Sequence, residues 1–101
     1  MAEDRHIYGE INNKTELKQV FSDIRHGIDE ADSRSALTEL YKRAGYLIAL
    51  SHAPSWEKKF GDEVSAVRKA AEHEFSTTAR QINRRARQIG TEPDYDERWG
   101  D

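Results

Sequence analysis

Residues 56–89 read WEKKFGDEVSAVRKAAEHEFSTTARQINRRARQI, and the architecture turns on how that run is arranged. Placed at about 100° per residue, Trp56, Phe60, Val64, Val67, Ala71, Phe75, Thr78, Ile82, Ala86 and Ile89 fall on one narrow stripe. Their spacing mostly alternates threes and fours, close to a coiled-coil seam. Because the frame survives Gly61, one continuous helix is expected, bent at most at "FGDE"; a restart capped by Asp62 is the alternative. Ser55 is the expected N-cap, and Gly90 followed by Pro93 supplies the stop.

Upstream, the pattern predicts two shorter helices. Asn13 with Glu16 three residues later makes a capping-box-like start, and Leu17, Val20, Phe21, Ile24 and Ile28 share one face. A second helix opens at "DSRSA", where Asp32, Ser33 or Ser35 serves as cap. Its main face is Leu37, Leu40, Tyr41, Ala44, Ile48 and Ser51, while Tyr46, Leu47 and Leu50 lie off it. An apolar segment on two sides is either central or meets a partner, so Tyr46, Leu47 and Leu50 are a candidate protein-docking surface. Pro54 ends this helix.

The expected fold is therefore all-α: a three-helix bundle with a long C-terminal helix and an acidic C-terminal tail. An N-terminal arm spans 1–12, the helical domain 13–90 and the tail 91–101. At 1.5 Å per residue the last helix reaches about 50 Å, against roughly 25–30 Å for each of the others. Phe75, Ile82 and Ile89 would then outrun their cover. Burying each is worth roughly 1.5–3 kcal/mol, so self-association through these three residues, as a homodimer, is expected.

Composition narrows the function classes. With 101 residues there is room for one domain. The absence of cysteine removes disulfides, thiolate nucleophiles and Cys-type zinc sites. No apolar run is long enough to cross a membrane, and "MAEDRHIYGE" lacks the build of a signal peptide, so a cytoplasmic protein is expected. The net charge of −3 gives no global pull toward nucleic acid; any such attraction is local.

Locally, residues 76–90 carry Arg80, Arg84, Arg85 and Arg87 and no acid. On the helical wheel Lys69, His73, Arg80, Arg84 and Arg87 share the face opposite the apolar stripe. Arginine forks suit phosphates, so Arg80, Arg84, Arg85 and Arg87 are the candidate nucleic-acid-binding residues; a solvated helix face with cations near its C-terminal dipole is the competing reading. Next to them stand Glu92, Asp94, Asp96, Glu97 and Asp101, with Tyr95 and Trp99 as possible apolar anchors. If the tail competes for the arginines, cutting after Gly90 raises polyanion affinity and steepens its salt dependence.

Catalytic signals are weak. His6, His26, His52 and His73 have no HExxH or zinc-finger spacing, and neighbours in "EHE" (72–74) diverge by about 100°. No phosphate loop or nucleophile elbow occurs. "LTELYKRAGY" then "LIALSH" has the gait of a helix-turn-helix, but Pro54 would break its recognition helix. No cofactor and no metal are expected. The leading expectation is a non-enzymatic interaction or regulatory module, with nucleic-acid binding second and a site between helices third.

Overall fold

The computed structural model describes residues 11–91. Among the described residues four α-helices run in the order α1 (Lys14–Glu30), α2 (Arg34–Ser51), α3 (Pro54–Phe60) and α4 (Val64–Gln88), with a 3-10 turn over Gly61–Glu63 before α4. The expected all-α bundle is what forms: α1, α2 and the long α4 pack side by side, and α3 is a short connector. α1 runs parallel to α4, since Arg25 meets Glu74 and Ala31 meets Arg85 further along both. α2 runs against them.

Helix starts follow local chemistry. The Asn13 side chain accepts from Glu16 N at 2.8 Å, and Glu16 in turn accepts from Asn12 N at 2.7 Å, so two otherwise orphan donors are satisfied. Of the three possible caps for α2, Ser33 is used; its hydroxyl accepts from Ala36 N at 3.2 Å. Ser55 does not cap α3. Ala53 stands at that position with Pro54 at the first turn, where a missing N–H costs nothing. α4 closes in a Schellman motif: Thr91 N donates to Ala86 O at 2.8 Å and Gly90 N to Arg87 O at 3.3 Å, with Gly90 at φ +81°.

The run from Trp56 to Ile89 is not one rod. Gly61 sits at φ +57° and ψ −125°, a geometry that no helix contains and that side-chain-bearing residues rarely adopt. The chain turns there, and α4 restarts after Glu63 with no side-chain cap from Asp62. The spacing hid the break because Phe60 and Val64 keep helical phase across it. Trp56 still folds into the core, its ring 5.0 Å from that of Phe60.

The break shortens the final helix to 25 residues, about 37 Å, a length the bundle covers by itself. One core cluster joins Leu17, Phe21 and Ile24 of α1, Ala44, Leu47 and Ile48 of α2, Trp56, and Val67, Ala71 and Phe75 of α4. A second joins Ile28, Ala31 and Leu37 at the α1–α2 turn to Ile82 and Ala86. Leu40 and Tyr41 pack against both. The ground for expecting a second copy is thereby removed. Phe75 is 1% exposed and Ile82 is fully buried under the same chain's own helices, while Ile89 is partly buried against the second cluster.

Candidate nucleic-acid interface

Three polar clamps fix the register of the bundle, and they decide which charges remain on its surface. Arg25 of α1 donates to Glu74 Oε1 at 2.6 Å, and Thr78 donates to the Glu74 carbonyl at 2.7 Å. At the end of α2, Arg68 donates through Nε to Ser51 O at 2.7 Å and through Nη2 to Ala53 O at 3.2 Å. The Ser51 carbonyl is one of the last of α2, which the helix itself leaves without a donor, while the Ala53 carbonyl also accepts from Trp56 N at 3.0 Å as α3 begins. At the other end, Arg85 Nε donates to Ala31 O at 3.0 Å, stitching the last turn of α4 to the end of α1.

These clamps sort the charges of α4. Residues 64–91 contain two carboxylates, Glu72 and Glu74. Glu74 faces α1, and Glu72 lies 3.3 Å from His52 Nε2 at the end of α2. Both acids thus sit at the borders of the buried arc. The outer arc presents Lys69, His73, Arg80, Arg84 and Arg87, all exposed. Among the described residues, no ion pair engages Arg80, Arg84 or Arg87. From Lys69 to Arg87 this outer face runs about 27 Å along the helix axis.

Of the four arginines singled out in the sequence, three stand together on the outer face. Arg85 is turned aside as a structural clamp, a role that a charge run does not reveal. Lys69 and His73 fall where the wheel puts them. The α2 surface fares differently. Leu47 is fully buried and Leu50 packs partly buried against the first core cluster, leaving Tyr46, 46% exposed, as the one large exposed apolar side chain among the described residues. Leu47 is core because α2 packs on two sides.

Among the described residues every buried side-chain nitrogen and oxygen has a hydrogen-bond partner, and no three His, Asp or Glu residues gather as a metal-ligand set. His26 lies on α1, His52 in the turn that caps α2 and His73 on α4. No described helix is long and apolar enough to cross a membrane. Tyr95, Trp99 and the five tail carboxylates lie outside the described residues, as does His6.

No protein-family model matches the chain, and no curated protein or solved structure does either.

Proposed function

We propose that this chain is a non-enzymatic binding module that docks on nucleic acid through the outer face of α4. One observation carries the reading: from Lys69 to Arg87 the face offers cations and no carboxylate, because Glu72 and Glu74 are turned toward α2 and α1. Guanidinium groups at i, i+4 and i+7, as at Arg80, Arg84 and Arg87, form a ladder with rises of about 6 and 4.5 Å. Such a ladder suits successive backbone phosphates. A protein net charge of −3 leaves the rest of the surface repulsive to a polyanion, which confines contact to this face.

A protein partner on α2 has less to hold. A single half-exposed tyrosine is ordinary on a protein surface and does not make an apolar patch.

The test is fluorescence anisotropy with labelled DNA and RNA over a salt series. Engaging three or four phosphates gives a slope of log K against log salt of about −2 to −4. Reversing Arg80, Arg84 and Arg87 to Glu abolishes binding, whereas reversing Lys58 and Lys59 on α3 leaves it nearly intact. Equal losses from the two sets, or no binding by the intact chain at low salt, would reject the interface.

A further inference from the structure

Beside the cationic face, where the flank of α4 meets the end of α1, lies a cleft of about 190 Å³. It is lined by Ile28, Asp29, Gln81, Arg84, Arg85 and Gln88. Ile28, 2% exposed, closes the floor; the other lining groups are polar. The Arg85 guanidinium is tethered at two points, through Nε to Ala31 O and through Nη1 to Gln88 Oε1 at 3.3 Å. A guanidinium held this way presents its plane and its remaining N–H groups in a set orientation, so little rotamer freedom is lost when something binds. Asp29 joins neither Arg84 nor Arg85 among the ion pairs of the described residues.

The mixture of groups discriminates between ligand classes. A site for phosphate alone has no use for Asp29, and a cation site has no use for two arginines. A nucleobase attached to its phosphate uses both. The guanidinium plane meets the ring, Asp29 accepts from an exocyclic amine, and the glutamine amides complement whichever donors and acceptors flank it. The cleft is smaller than the roughly 300–1,000 Å³ of pockets for drug-sized ligands, in keeping with one ring system. Arg84 belongs both to the outer face and to the cleft wall. A strand whose phosphate rests on Arg84 therefore has a base within reach of Asp29.

Resting on the function proposed above, we infer that this cleft takes one unpaired base bearing an exocyclic amine, from a single strand laid along α4. Cytosine offers its N4 amine to the Asp29 carboxylate. Thymine and uracil instead place carbonyl oxygens on both sides of their one ring N–H, against the carboxylate. The site thus adds selectivity among bases to a face that otherwise holds only backbone.

The experiment compares labelled oligo(dC) and oligo(dT) of equal length, bound by the full chain at neutral pH and one salt concentration. These pyrimidines share one ring system and, apart from the thymine 5-methyl group, differ at the edge that Asp29 would read. The expected preference for oligo(dC) is about fivefold to tenfold, the lower range for a good base-edge contact. Asp29→Ala removes the preference and leaves oligo(dT) affinity unchanged or higher, because it deletes a negative charge beside the arginines. Gln88→Ala, as a second variant, narrows the preference without abolishing backbone binding. Equal affinity for both strands, or a preference that survives Asp29→Ala, overturns the cleft assignment and leaves the proposed interface standing. Failure of either strand to bind at low salt overturns both.

Discussion

Arg84 and Arg85 are adjacent in the chain and take opposite employment. About 100° of helical rotation turns Arg84 to solvent and Arg85 onto the carbonyl that ends α1. Arg85→Ala should therefore destabilise the fold by about 1–3 kcal/mol, since the buried Ala31 loses its carbonyl's donor. Arg87→Ala should stay within about 0.5 kcal/mol. Urea unfolding of both variants checks this, and equal midpoints would mean that Arg85 clamps nothing. Sequence could place all four arginines on a helix and most of them on one face. It could not show which guanidinium finds a carbonyl 54 residues earlier, because that depends on where α1 stops. Leu47 carried two readings, core of a central helix or docking surface, and its full burial selects the first. A helical wheel assumes one neighbour, whereas α2 is flanked by more than one. The same widening buries Ser76, Ala79 and Asn83 beside the expected stripe of α4, small and polar residues that an apolar count passes over.

Among elements, the turn at Gly61 decides the length of α4 and hence whether the bundle is self-sufficient. A Cβ at Gly61 would meet nothing within 4 Å, so the obstacle to substitution is the backbone conformation itself. Gly61→Ala should cost about 1–3 kcal/mol. Gly61→Asn should give little relief, because ψ −125° lies far from the left-handed helical region that Asn tolerates. Urea midpoints of the two variants measure this, and an unchanged midpoint for Gly61→Ala would restore a continuous helix as an accessible state. The stripe from Trp56 to Ile89 was legible because its apolar residues hold their phase. The break was not, because the phase is kept across it while the backbone is not.

For the whole molecule, the α1–α2 turn supplies the cover that the sequence pattern alone assigned to a second copy. Ile82 lies beneath Ile28, Ala31 and Leu37, so Phe75→Asp and Ile82→Asp each place a charge inside the bundle. Both should abolish the cooperative unfolding transition and most of the helical circular dichroism. A well-folded variant of halved mass in analytical ultracentrifugation would instead reinstate self-association through these residues. Ile82→Ala, which keeps the site apolar, should cost about 2–5 kcal/mol and leave a folded chain.

The parallel placement of α1 against α4 also bears on the order of events in time. Arg25 with Glu74 and Ala31 with Arg85 bring together groups 49 and 54 positions apart, on either side of everything else in the bundle. The α1–α2 hairpin and the packing of α3 need far shorter loops, so they have the smaller entropic hurdle. The seam between first and last helix is therefore expected to close last and part first. Weakening it should accelerate unfolding in stopped-flow experiments while leaving the refolding rate nearly unchanged.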